Sequence, residues 1–113
     1  MIAFKNAELV TTNAPQTIYV CPITTPATVA IVTLLQAATA QDQPDEVSVW
    51  WTDYSNSNFA VFLGKDIQIP ASEAQSMLTG KLVLMGGDAL RAQSVNSGTV
   101  AITFSAVELQ GLA

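Results

Sequence analysis

The residue types that most often carry chemistry are sparse in this chain of 113 residues, and what is missing narrows the field of function. There is no histidine, which removes the commonest general base, the Ser-His and Cys-His nucleophile pairs and the usual zinc ligand sets in one step. Nine carboxylates remain: Glu8, Asp42, Asp45, Glu46, Asp53, Asp66, Glu73, Asp88 and Glu108. Two of them in partnership could do acid–base work. Most, however, fall among turn formers or at strand ends, where a carboxylate accepts backbone N–H groups and keeps the surface charged. The segment "DYSNSN", residues 53–58, gathers an Asp and two Asn as a calcium loop would. It lacks the D-x-[DN]-x-[DN]-G spacing and a following bidentate Glu, so a hairpin turn is the expected structure. "MGGDALRA", residues 85–92, lacks the G-x-x-x-x-G-K-[ST] pattern of a phosphate loop and reads as a turn between strands. Cys21 has no second cysteine in the chain to pair with and is expected to be a small buried hydrophobe. No catalytic, cofactor or metal site is expected.

The elements that would have to position any site are therefore the stronger guide. Hydrophobic residues make up 50% of the chain and charged ones only 12%, about half the share of roughly 25% usual in soluble domains. Four Lys and Arg stand against nine acids, a net charge of −5, and Lys5, Lys65, Lys81 and Arg91 are scattered singly. Nucleic acid is thus an unsuitable direct partner, because phosphate neutralisation supplies most of that affinity. The longest apolar stretch, "ATVAIVTLLQAATA" at 27–40, carries three threonines and a glutamine and falls short of the ~20 residues that span a bilayer. The amino terminus shows no secretory pattern, so folding in the cytoplasm of the producing cell is expected.

Short β-branched and aromatic runs separated by turn clusters predict an all-β chain, a single antiparallel β-sandwich or jelly roll over residues 1–113. Strands are expected near 6–12, 16–21, 27–38, 46–53, 59–64, 66–70, 80–85, 89–95 and 99–109, with turns at "TNAP", "PITTP", "QDQPDE", "SNSN", "GGD" and "NSG". "PASEAQSML", 70–78, is expected to be a loop crossing between sheets. In the last strand Val100, Ile102, Phe104 and Ala106 alternate with smaller or polar residues and should face the core. In "ATVAIVTLL", Val29, Ile31 and Leu35 lie on one face and Ala30, Val32 and Leu34 on the other, so both faces are apolar. A sandwich strand with no polar face implies that something covers its outside.

The hairpin "VSVWWTDYSNSNFAVFLG", 47–64, repeats that observation. Adjacent strand residues point to opposite faces, so Trp50 and Trp51 cannot share one core. A turn centred on Asn56 pairs Asp53 with Phe59, Trp51 with Val61 and Val49 with Leu63, and leaves Trp50 across from Phe62 on the other face. That pair either shields its own sheet or forms an anchor on which another subunit docks. A third reading makes Trp50, Phe62 and Tyr54 a sugar-stacking platform with Asp53 and Asn58 as hydroxyl partners. The segment Met1–Asn6, with Ile2 and Phe4, is a second interface candidate: an arm that adds a strand to a neighbour, or an ordered first strand of its own sheet.

Four pieces of the chain, "FKNAELVTTNAPQTIYVCP", "VSVWWTDYSNSN", "GKLVLMGGDALRAQS" and "GTVAITFSAVEL", together resemble a group of small bacteriophage virion proteins. The likeness rests on Thr17–Pro22, Leu82–Ala92 and Val100–Leu109 and covers nearly the whole chain. Its motifs are turns and core positions, and "PITTP" departs from the turn such sequences carry after the tyrosine strand. The resemblance implies a sandwich or jelly roll that assembles onto a phage particle as a capsid decoration or cement protein clamping major capsid subunits. The apolar outer faces then suit a homotrimer or homodimer, and the acidic charge suits the particle exterior. A tail, neck or baseplate role is the nearest alternative, and a carbohydrate-binding module for host attachment is another.

Overall fold

The computed structural model describes residues 2–39 and 43–111. Among them lie β1 (Ile2–Val10), β2 (Gln16–Val20), β3 (Thr28–Thr39), β4 (Asp45–Asp53), β5 (Phe59–Ile69), β6 (Ala74–Ser76), β7 (Leu82–Met85), β8 (Ala89–Ser94) and β9 (Val100–Gln110), with a 3₁₀ turn at Tyr54–Asn56. One antiparallel sheet has the order β1-β9-β3-β6, with β7 also on β3, and the other runs β2-β8-β4-β5. β6 pairs with Gln36–Ala38 and β7 with Val29–Val32, so the two lie end to end along β3 as one interrupted strand. Counted that way, the first strand pairs with the last, the second with the next to last, and so on inward to the β4–β5 hairpin. A long ribbon folded at that hairpin and rolled up gives this order, which is the jelly-roll form of the sandwich.

The core lies between the sheets. Leu35, Val32, Leu84, Ile102 and Phe104 from the first sheet meet Val47, Val49, Ile69 and Leu90 from the second, all essentially without exposure. Each contributes roughly 1.5–3 kcal/mol by leaving water. The expected inward set of β9, Val100 through Ala106 at alternate positions, is the buried one.

Polar pins tie the two sheets together at one end of the sandwich, around Cys21. The Tyr19 hydroxyl donates to Glu108 Oε2, and its ring stacks on Phe104 at 4.7 Å between centroids. Burial, reinforced by the Glu108 carboxylate, pushes the Tyr19 hydroxyl well above its ordinary pKa. Beside the β4–β5 turn, Asp88 accepts from the Tyr54 N–H and the Met85 N–H, each at 2.9 Å. Gly87 beside it has φ +90°, and a Cβ there would lie 2.4 Å from Tyr54 Cγ. The "GGD" turn thus needs glycine at position 87 for both backbone and space. Cys21 is buried as expected, and burial followed by the charges of Glu108 and Asp88 raises its thiol pKa.

Several expectations need correction. The first strand starts at Ile2 and pairs with β9 in register from Ile2↔Leu109 to Val10↔Ala101, so residues 2–6 extend the chain's own sheet; Met1 lies outside the described residues. The stretches 59–64 and 66–70 form a single strand, kinked where Asp66 takes a left-handed φ of 53° and donates its N–H to Ser48 Oγ at 2.9 Å. Val49 pairs with Gly64 instead of Leu63, because Leu63 is the extra residue of a bulge. "PASEAQSML" contains β6, so it is more than a loop. The expected turn "QDQPDE" is described only from residue 43 onward; Gln41 and Asp42 lie outside the described residues.

The most consequential correction concerns β3. Its register with β9 breaks between Val32 and Leu34, so one extra residue enters the strand at Thr33. A bulge inverts the facing of everything beyond it. Leu35 therefore joins Ala30 and Val32 in the core, and Leu34 joins Val29 and Ile31 outside, the reverse of the grouping expected from strict alternation.

Candidate functional site

Strand order assembles a surface from residues far apart in sequence. Directly opposed residues of an antiparallel pair point to the same face. Reading across the first sheet, Ile2 pairs with Leu109, Leu109 with Val29, and Val29 with Met85. The next outward row is Phe4, Val107, Ile31 and Val83. Two continuous apolar rows therefore cross β1, β9, β3 and β7 on the solvent face. Strands about 4.8 Å apart, each with two outward side chains about 7 Å apart, give a patch on the order of 300 Å². Phe4 is its most prominent member, 79% exposed. Glu8 is the one charged residue among the outward positions of these four strands, since Lys5 and Glu108 occupy the opposite parity.

The β4–β5 hairpin forms a second apolar area. Trp50 lies across from Phe62 as expected, their rings 5.5 Å apart and tilted by 46°. Trp51 takes the core side and packs against the core cluster, which resolves which indole enters. Trp50 is on the outer face between Phe62 and Arg91 in register, yet only 8% of it is exposed. As an anchor offered to a partner it has little free surface; its neighbours in its own sheet already cover it. Phe62 keeps 46% exposure, with Lys65 Nζ 5.3 Å from its ring centroid. Of the three rings proposed to stack on a sugar, the Trp50 indole is covered, while Phe62 and Tyr54 remain about half exposed, Tyr54 packing beside Gly87.

Several of the carboxylates serve the fold, Asp88 and Glu108 as described above. Asp45 accepts from Thr99 Oγ1, from the Asn96 N–H at 3.3 Å and from its neighbour's N–H at 2.7 Å. Asp53 caps the 3₁₀ turn by accepting from the N–H and hydroxyl of Ser55. A depression of about 320 Å³ is lined by Glu46 and Asp66 together with Asn13, Ser48 and Gln93. Both carboxylates there are already engaged, Glu46 by Gln68 Nε2 at 3.1 Å and Asp66 by Ser48 Oγ at 3.4 Å.

Of the residues expected to make contacts, the structure brings Ile2 and Phe4 together on the sheet face and places Phe62 on the hairpin. Sequence reasoning missed Val83, Met85, Val107 and Leu109. The signal present in the sequence was the double apolar character of β3; the strand order that aligns its neighbours was not legible.

No protein-family model matches the sequence, and no curated protein matches it. Solved structures resemble the fold. A chain from Bacillus endospore appendages, described as disulfide-linked pili, superposes with a TM-score of 0.60 at 9% identity over 97% of this chain and 87% of that one. A chain of infectious bursal disease virus, Gx strain, gives 0.57 at 10% identity over 94% of this chain and 29% of that one, so this chain spans under a third of it. A chain from the acid-stable capsid of the Helicobacter pylori bacteriophage KHP30 gives 0.52 at 13% identity, covering 97% of this chain and 94% of that one. The sandwich is thus of a kind found in viral and phage capsids and in a pilus.

Proposed function

We propose that this chain is a non-enzymatic bacteriophage virion protein that decorates the capsid exterior and cements the shell by bridging major capsid subunits. The observation that carries this reading is the pair of apolar rows from Ile2 and Phe4 to Met85 and Val83, on a sheet face with one charge. A face of that kind gains about 25 cal/mol for each Å² of apolar surface it buries, before ordering costs. Adhesion of this kind needs no active site. Support for the capsid address comes from the KHP30 capsid chain, which shares the fold over nearly the full length of both chains. The net charge of −5 favours a place away from packaged DNA. Phe4 and Ile2, with Phe62 on the hairpin, are the proposed contact residues, and self-association as a dimer or trimer would repeat the contacts around the shell.

The test is a reconstruction of particles purified from the source, with mass spectrometry of their proteins. The reading expects this chain in many copies at joints of the shell with the first sheet facing inward. Its absence from particles overturns the reading, and its presence only in the tail or neck transfers the same adhesive chemistry to that location.

A further inference from the structure

A sheet edge is a row of unpaired backbone groups, and proteins normally defend it. Four of the edge segments in this fold are defended. β1 carries Lys5 and Glu8, β2 has five residues bounded by Pro15 and Pro22 with a register break at Thr17/Tyr19, and β6 and β7 have three and four residues. The first half of β5 has none of these protections. Phe59–Phe62 holds no charge, no proline and no bulge; the bulge at Leu63 and the charges of Lys65 and Asp66 come only afterwards. Phe59 is 60% and Val61 37% exposed although Val61 sits on the core side of the sheet opposite Trp51. The chain therefore leaves both side chains and backbone of this segment open.

We infer that the Phe59–Leu63 edge pairs antiparallel with the same edge of a second copy about a two-fold axis at Val61, joining the two four-stranded sheets into one of eight strands. This deepens the self-association in the function proposed above and rests on the β5 edge, which shares only Phe62 with the contact residues proposed there. A two-fold operation makes identical strands antiparallel, as the flanking ladder requires. In this register Ala60 meets Phe62 of the second copy and Phe59 falls opposite its bulged Leu63, where the ladder ends, so no like charges oppose each other within the pairing. Farther out, Lys65 and Asp66 of each copy fall toward the hairpin turn of the other, where Lys65 is opposite in sign to Asp53 and Asp66 is not. Lys65 offsets the adjacent Asp66, so the segment that meets Asp53 brings no net charge of the same sign along this edge. The amino-terminal strand is excluded as donor because it is engaged with β9 through nine paired residues of its own chain.

The test uses the full chain. Sedimentation velocity should show twice the 11.9 kDa mass of one chain. Val61→Glu and Val61→Lys should each sediment as monomers, and an equal mixture of the two should recover the dimer, because the charges then face each other across the axis. Val61→Cys should form an intermolecular disulfide under mild oxidation, since directly opposed strand residues have Cα atoms within bridging distance. The wild type should not, because Cys21 is buried. A wild type that is monomeric at every concentration, a Val61→Glu variant of wild-type mass, or a Val61→Cys variant that stays monomeric while folded overturns the inference. A dimer absent from particles would sink the capsid function and leave this pairing standing; a monomer that decorates shells would do the reverse.

Discussion

Replacing Phe4 with Ser separates adhesion from folding. Phe4 is 79% exposed, so of the roughly 200 Å² a phenylalanine can bury, about 150 Å² remains for a partner. At about 25 cal/mol per Å² that area is worth at most about 4 kcal/mol, and ordering costs bring the expected loss nearer 2–3 kcal/mol. Attachment to shells should therefore weaken about 30- to 150-fold per contact. Folding stability should change by no more than about 0.5 kcal/mol, as for other exposed substitutions. The control is Phe104→Ala at a fully buried position, expected to cost about 3–5 kcal/mol and, at about 4 °C per kcal/mol, to lower Tm by roughly 12–20 °C. The assay is co-sedimentation of purified protein with shells stripped of it, alongside thermal melts. Phe4→Ser protein that binds shells like wild type refutes the adhesive role of this face. A large drop in Tm refutes the placement of Phe4 outside the core.

The bulge in β3 predicts unequal leucines: Leu35→Ala should cost about 2–5 kcal/mol in chemical denaturation and Leu34→Ala less than about 1 kcal/mol, with equal costs refuting the parity switch. Asp88→Ala removes the acceptor for the Tyr54 and Met85 amides, at an expected cost of about 2–3 kcal/mol and with faster hydrogen exchange at those two amides. The Tyr19 hydroxyl has a folded-state pKa raised by burial and by Glu108, above an unfolded value near 10. Its stabilisation is thus complete below about pH 10 and is lost as pH rises further. Melts from neutral to strongly alkaline pH should show that loss, and Tyr19→Phe should flatten it.

Composition and alternation alone determined the all-β class, the inward set of β9, the Trp50–Phe62 pair and the lack of histidine-based chemistry, because these depend on residue type or on near neighbours in the chain. Other features required the tertiary structure. A bulge is one residue of backbone accommodation, and no residue type at Thr33 announces it, so the facing of Leu34 and Leu35 was decided by the register with β9. The covering of Trp50 depends on which strands flank β4, and the two apolar rows depend on β1, β9, β3 and β7 lying side by side. Those pairings join residues up to about a hundred positions apart, such as Ile2 and Leu109. Local propensity carries no information about such contacts; packing of the whole rolled ribbon selects them.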